Sequence, residues 1–391
     1  MEPDWPRMTL VEADTVLRRY PQAGGALELL SFSPRPFSAA SLVATPRGKV
    51  FVKRHSRLVR DHEGLLEEHR LIGYLAARTN LVPPVLACAD GDTVVSLGEW
   101  TYEVHAPANG QDVYEEALSW TPFACVGHAR AAGQALAELH RVTKGYTVAA
   151  RKLEPLVSSF SIFSSAASGP GPMAEMAAYL EARPSLRSYL EKRDWRTSMD
   201  ELLMPFYREL RPWLGYLEPL WTHNDFHASN LTWSNAGEAA EVAGIIDFGL
   251  ADRTNAVHDL ATAIERNIVE WLRIADPQTH VLHLDHLDAL LQGYEHVHPL
   301  SREEAHALVA MLPLVHCEFA LSEADYFLSI LHSEEKAYLA YEGYFLQHAR
   351  WFQSTQGRQL RMHLKVWAES KDREPSPAGE AAGNSSRAGN R

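Results

Sequence analysis

The sequence predicts an α+β protein of two lobes: a small antiparallel β-sheet with one helix, then a larger, mainly helical lobe. Three observations predict it. Short strand-like runs crowd the first hundred residues around a single helical pattern. Helix dominates from about Gly110 onward, and strand signals return only briefly between Trp221 and Asp247.

Residues 27–31 and 41–45 have the apolar, short-run character of strands. Thr45-Pro46-Arg47-Gly48 forms a turn, and residues 49–53 make a third strand. Over 61–78 the period becomes helical, with Leu65, Ile72 and Leu75 on one side, and Pro83-Pro84 ends that pattern. A hairpin over 93–97 and 101–105 completes the small lobe. Helices are expected over 126–140 and from Asp259 to about Lys371, with a loop-like stretch at 151–172. Ser301-Arg302-Glu303-Glu304 has the form of a capping box. The expected division is an amino-terminal extension (1–26), a nucleotide-binding lobe (27–105), a catalytic and acceptor lobe (106–370) and a disordered tail (371–391) rich in small polar residues.

Hydrophobic residues make up 46% and charged residues 22% of the 391, which is ample for a large core. Thirty-seven Lys and Arg face fifty Asp and Glu, a net charge of −13. Such a chain is poorly suited to nucleic acid, where phosphate neutralisation supplies much of the affinity. Residues 1–110 are nearly neutral, with 12 basic and 13 acidic groups, whereas 111–370 hold 21 against 34. The acidity of the second lobe is compatible with a cationic small-molecule partner. Three scattered cysteines argue against a disulfide frame, and neither a signal-peptide pattern nor a membrane-length apolar run is present. A cytoplasmic protein, monomer or homodimer, is expected, with no nucleic-acid or membrane partner.

The densest chemistry lies in His223-Asn224-Asp225-Phe226-His227-Ala228-Ser229-Asn230, followed by Ile245-Ile246-Asp247-Phe248-Gly249. Residues 231–233 and 242–246 flank Asn235-Ala236-Gly237 and should pair as a hairpin. Asn230 and Asp247 then share its open end, where an amide oxygen and a carboxylate make a hard-oxygen site for Mg²⁺. Asp225, on the adjoining loop, is placed to orient an attacking hydroxyl. His-x-Asp-x-x-x-x-Asn followed by Asp-Phe-Gly is the phosphoryl-transfer pattern of base, metal amide and metal carboxylate. That template also needs an upstream Lys and Glu. Lys53 ends the third strand, and Glu68 lies on the apolar stripe with Leu71, Ile72 and Leu75, so a Lys53–Glu68 pair is expected. His227 is expected to shape the loop.

On these residues the chain resembles the aminoglycoside phosphotransferase and choline kinase-like family of the protein-kinase-like superfamily. The resemblance also rests on Leu136-Ala137-Glu138-Leu139-His140, His258-Asp259-Leu260-Ala261 and Gly293-Tyr294. It implies a bilobal protein-kinase-like fold, with ATP as donor and GTP as the alternative. Asp225 would be the catalytic residue, and Asn230 and Asp247 the Mg²⁺ ligands. Lys53, anchored by Glu68, would touch the phosphates. The backbone around Glu103 to Ala106, with Glu103 and His105 named as cofactor contacts, would hold the base. Asp259 would brace the catalytic loop.

The chain departs from the pattern twice. Asn224 stands where many relatives have Gly, a start closer to choline kinases. The phosphate-covering loop at 33–39 has no glycine, so phosphate contacts fall to backbone near Ser38 and to Arg35. Only 12 positions separate Asp247 from Asp259, little room for a peptide-binding segment, which favours a small acceptor over a protein substrate. A Ser/Thr protein kinase and a nucleotide-binding sensor or pseudokinase are the alternatives. Acceptor contacts are expected among Glu265, Glu270, Glu318, Glu323 and Asp325. The histidines at 280, 283, 286, 296 and 298 read as solvated or capping, and Trp213, Tyr216, Trp221 and Trp233 as packing.

Overall fold

The computed structural model of the chain describes residues 3–33, 35–152, 155–164, 169–276 and 279–373. Most of the expected tail, from 374 onward, lies outside the described residues. The first lobe holds helix α1 (Leu10–Leu17), strands β1 (Glu28–Phe32), β2 (Ala39–Thr45) and β3 (Gly48–Ser56), helix α2 (His62–Ala76), and strands β4 (Val94–Leu97) and β5 (Trp100–His105). The strands form one antiparallel sheet in the order β1-β2-β3-β5-β4.

Every strand and the helix expected here are present, with ends shifted by a few residues. The segment before residue 27 is not an appendage. Thr9 closes a capping box with Glu12 to start α1, whose Ala13, Val16 and Leu17 are fully buried. With Met8, Tyr20 and Ala23 they pack against Val43, Val50, Val52 and Val104 of the sheet. The lobe therefore has two helices rather than one: α1 buries its apolar face on the sheet, while Leu71, Ile72 and Leu75 of α2 join the larger core that continues into the second lobe.

The second lobe begins with α3 (Val126–Thr143), followed by short helices α4 (Pro172–Glu181), α5 (Pro184–Leu190), α6 (Trp195–Leu202) and α7 (Met204–Leu210). Two small ribbons follow, made from β6 (Pro219–Thr222), β7 (Leu231–Trp233), β8 (Val242–Ile245) and β9 (Asp252–Asn255). β6 pairs with β9, and β7 with β8. β9 had no clear strand pattern in the sequence, and its pairing with β6 sets the base of the catalytic loop.

Helices α8 (Ala256–Ile268), α9 (Leu284–Val297), α10 (Arg302–Met311), α11 (Cys317–Ser329), α12 (Glu334–Tyr338), α13 (Gln347–Phe352) and α14 (Thr355–Lys371) complete the lobe, with a π-helical stretch at Leu339–Leu346. The Ser301 capping box forms as expected. α3 and α9 cross at a pair of glycines. A Cβ on Gly293 would lie 2.0 Å from the Arg130 carbonyl oxygen, and one on Gly133 2.1 Å from that of Leu290. That close approach sets Tyr294 beside His140, the first link of the support beneath the site. No helix among the described residues is long and apolar enough to cross a membrane.

Candidate active site

The β7–β8 hairpin forms with Leu231 opposite Ile245, and the Ile246 amide donates to the Asn230 carbonyl at 2.9 Å. Asn230 and Asp247 therefore emerge side by side. The Asn230 amide nitrogen donates to the Asp225 carbonyl oxygen at 2.9 Å and to its carboxylate at 3.3 Å. With its nitrogen so engaged, Asn230 has its amide oxygen as the atom that could hold a metal.

The catalytic loop is gripped by one helix. Asp259, Arg266 and Asn267 of α8 lie at i, i+7 and i+8, on one helical face. Asp259 accepts from the His223 amide at 2.7 Å and the Asn224 amide at 2.8 Å. Its Oδ2 also meets His140 Nε2 at 3.0 Å, and His140 Nδ1 meets the Tyr294 hydroxyl at 2.7 Å. Burial pushes the Asp259 carboxyl up, but His140 and His223 outweigh it and hold it below its ordinary value. Asn267 accepts from the Ala228 amide and donates to the Phe226 carbonyl. Arg266 Nη2 lies 3.2 Å from Asp225 Oδ1 and packs near the rings of Trp120 and Phe319, each 5.1 Å from its guanidinium carbon. The expected brace at Asp259 is thus joined by two residues that sequence reading missed. Their signal was a charged and an amide side chain two turns along the helix from Asp259 and on its face.

Asn224 and Asp247 both adopt left-handed backbone, with φ of 61° and 62°. Asn tolerates this region better than most residues, so Asn224 fits the left-handed position. Its side chain also donates to the Leu250 carbonyl and accepts from the Thr222 hydroxyl. His223 Nε2 donates to the Ile246 carbonyl at 2.9 Å, joining the two motifs directly.

Lys53 crosses between the lobes. Its Nζ lies 2.8 Å from Asp247 Oδ1, and the expected pairing with Glu68 is replaced by this one. Glu68 is buried as expected, but its carboxylate faces Arg151 Nη2 at 3.5 Å. Arg151 comes from the loop after α3. Its fork also donates to the carbonyls of Gly64, Phe248, Gly249 and Ala251, so it joins α2 to the segment after Asp247. Burial lowers the Lys53 ammonium pKa, but Asp247, Glu103 and Glu68 reverse this and raise it. Asp247 is held low against burial by Lys53, so it remains an anion.

Asp225, Asn230 and Asp247 line one cleft of about 500 Å³. Phe32 at the end of β1 and Arg35, Pro36 and Phe37 of the loop that follows form its roof, and Ser38 of that loop is buried. Pro34 lies outside the described residues. Arg35 donates to the hydroxyls of Ser119 and Ser229, tying the roof to the catalytic loop. His227 sits 3.5 Å from Asp225 Oδ2 and also meets Ser229. Burial raises the Asp225 carboxyl pKa, yet His227 and Arg266 more than reverse this and hold it well below the carboxylate range.

Several expected contacts fall elsewhere. The main chain of Glu103 is paired on both sides, to Lys53 and to Val94, and that of His105 to Phe51, so neither faces a base from the sheet interior. The free run of the inter-lobe linker starts after Ala106, whose amide binds the Pro84 carbonyl. Glu265, Glu270, Glu318 and Asp325 do not line the cleft. Glu265 is buried on His348 and Arg266; Glu270 pairs with Arg273 and His283. Glu318 accepts from Ser159 and Ser161, and Asp325 is buried on α11. Glu323 does line the cleft, together with Glu115, Glu116 and Trp120. Of the histidines, His283 and His286 stack on each other, with Asp285 close enough to complete a metal-type cluster. Trp221 and Trp233 are core residues, whereas Tyr216 is exposed.

The fold and this convergence of Asp225 and Asp247 on one cleft with an inter-lobe lysine define a bilobal phosphotransferase of the protein-kinase-like class. The chain belongs to the phosphotransferase enzyme family, whose model matches residues 36–300. Solved structures share the fold at low identity. A microcompartment-associated aminopropanol kinase has a TM-score of 0.53 and 16% identity, covering 87% of this chain and 95% of that one. Amicoumacin kinase hAmiN, in complex with AMP-PNP, Ca²⁺ and Ami, has a TM-score of 0.52 and 16% identity, covering 80% and 86%. An aminoglycoside phosphotransferase from Alicyclobacillus acidocaldarius gives 0.51 and 15%, covering 94% and 98%. No protein of curated function matches the chain in sequence.

Proposed function

We propose that the protein transfers the γ-phosphoryl group of ATP, with Mg²⁺, to a hydroxyl of a small amine-bearing acceptor. The observation that carries this is the cleft that Asp225, Asn230 and Asp247 line together, with Lys53 on Asp247. The oxygen donors of Asn230 and Asp247 fit Mg²⁺, which takes few protein carboxylates and keeps sites for waters and phosphates. Bound there, Mg²⁺ supplies neutralisation of phosphate charge.

The remaining work belongs to the chain's own residues. Arg266 and His227 keep Asp225 anionic, so it accepts a hydrogen bond from the acceptor hydroxyl and aims its oxygen in line. In a loose transition state the hydroxyl proton passes to Asp225 late, as the new bond forms. Lys53 and Arg35 bring positive charge to the phosphate side, and the roof of Phe32 and Phe37 excludes water. Glu115, Glu116 and Glu323, which also line the cleft, favour an acceptor with an ammonium group. The names of two fold relatives, an aminopropanol kinase and an aminoglycoside phosphotransferase, describe amine-bearing acceptors of those proteins.

The test is a screen of amino alcohols, amino sugars, neutral polyols and a generic protein substrate with labelled ATP or GTP and Mg²⁺. Label on an amine-bearing compound is expected. Label only on neutral compounds removes the amine, and label on protein overturns the small-molecule reading. Asp225→Asn should keep ATP binding and lose about 10²–10⁴-fold in turnover; undiminished turnover would remove Asp225 from its role.

A further inference from the structure

Behind Lys53, in the first lobe, three imidazoles surround one carboxylate. Glu103 accepts at Oε1 from His55 Nε2 at 2.8 Å, and at Oε2 from His69 Nε2 at 2.9 Å and His105 Nε2 at 2.8 Å. Glu103 is fully buried, and the side chains of His55, His69 and His105 are 7%, 3% and 14% exposed. The four residues come from three elements that the fold holds rigidly. Glu103 and His105 alternate onto one face of β5, and Glu103 stands opposite Lys53 on β3, with His55 two residues along the same face. His69 descends from α2, next to Glu68.

Charge balance alone does not call for this arrangement. A buried carboxylate needs one cation, and the field of Lys53, although its ammonium is paired with Asp247, reaches Glu103 from the adjoining strand. Three further imidazoles exceed that need, and together with the carboxylate they supply four nitrogen and oxygen ligands. The donor atoms of His69, Glu103 and His105 lie within 4.8 Å of one another. Ligands around a tetrahedral Zn²⁺ stand about 3.3 Å apart, given bonds of roughly 2.0–2.1 Å. Room for the ion comes from opening the contacts to Glu103 by about half an ångström while the histidine nitrogens draw together, with His55, which now meets the other carboxylate oxygen, swinging in as the fourth ligand. His69 also has the outer partner that ligating histidines use: its Nδ1 lies 2.8 Å from the Thr93 hydroxyl, which fixes Nε2 toward Glu103.

We propose that His55, His69, Glu103 and His105 form a buried Zn²⁺-type site that fastens α2 to β3 and β5 at the level of Lys53. The site is separate from the oxygen pair of Asn230 and Asp247, and its nitrogen donors select against Mg²⁺. To bind, each imidazole presents the Nε2 lone pair and carries its proton on Nδ1. Its role is to hold the helix bearing Glu68 in place, so it does not depend on the identity of the acceptor.

The decisive experiment is Co²⁺ titration of the unaltered full chain in excess Mg²⁺, which occupies the oxygen pair. One equivalent giving intense tetrahedral d–d bands, displaced by one equivalent of Zn²⁺, is expected. Imidazole ¹⁵N spectra of the same protein should show coordination shifts at Nε2 of three buried histidines, with Nδ1 protonated. Replacing His69 by Ala should weaken binding beyond the roughly 10–100-fold that loss of an outer partner costs. The His283→Ala/His286→Ala variant, which removes the second histidine cluster, should keep the bands. Absence of tetrahedral bands in the unaltered protein overturns the proposal. So does their loss in the His283/His286 variant with retention in His69→Ala. These readouts need no turnover, so their failure is distinct from failure of the phosphotransferase reading.

Discussion

Lys53 and Asp247, one on the sheet of the first lobe and one on the loop after β8 of the second, meet at 2.8 Å across the cleft. This ion pair joins the sheet of the first lobe to the carboxylate that, in the proposed function, holds metal against the phosphates.

Lys53→Met should reduce kcat/KM by about 10²–10³-fold, the cost of removing one preorganised electrostatic group. Glu68→Gln should cost at least tenfold less activity, because the Glu68 partner is Arg151. Steady-state kinetics of both variants decide it. Equal losses would mean that the working enzyme pairs Lys53 with Glu68.

Asp259→Ala should destabilise the fold by about 3–5 kcal/mol, the range for breaking a buried charged network. Two loop amides and His140 would lose their acceptor. The folded pKa of Asp259 is depressed, so its contribution is complete above the unfolded value of about 4. It fades as pH falls through the folded value. Urea unfolding at neutral and acid pH should show the gap between wild type and variant closing on acidification.

Arg266→Met should raise the Asp225 carboxyl by about 1–3 units, since burial would then be less opposed. The acid limb of the kcat–pH profile should move upward accordingly, with a smaller change in nucleotide KM. An unmoved limb would show that Arg266 only packs against Trp120 and Phe319.

Glu323 is pushed up to about 7 by burial, partly offset by Arg266 and reinforced by Asp4 and Asp225. It gains its negative charge as pH rises through that value. KM for an amine acceptor should therefore fall between about pH 6 and 8, and Glu323→Gln should flatten the profile. A profile unchanged in the variant would place the ammonium against Glu115 or Glu116.

The fold was legible because the small lobe alternates clear strands with turn residues, and the catalytic pair because a hairpin brings its two ends together. Asn230 and Asp247 needed only local geometry. The partner of Glu68 was not legible, because Arg151 arrives from a loop more than eighty positions away and its fork outcompetes a single ammonium. Which of the named acidic residues line the cleft was only partly legible, since Glu323 does and the others do not. Glu265 and Glu318 carry the same charge as Glu323, but His348 and the Ser159–Ser161 loop claim them. Glu103 was read for its backbone, whereas its buried side chain gathers histidines from three elements.

The first described residues reach both lobes. α1 completes the core beneath the sheet, while Asp4 meets the Tyr326 hydroxyl of α11 and the Lys336 ammonium of α12. A truncation starting at Pro36, where the family match begins, would strip away one wall of that core and cut this tether at once. The natural cutting point suggested by kinship is thus the wrong one for a working fragment. Any opening of the cleft must also strain the short run from Asp4 to Met8, which lies outside the catalytic motifs.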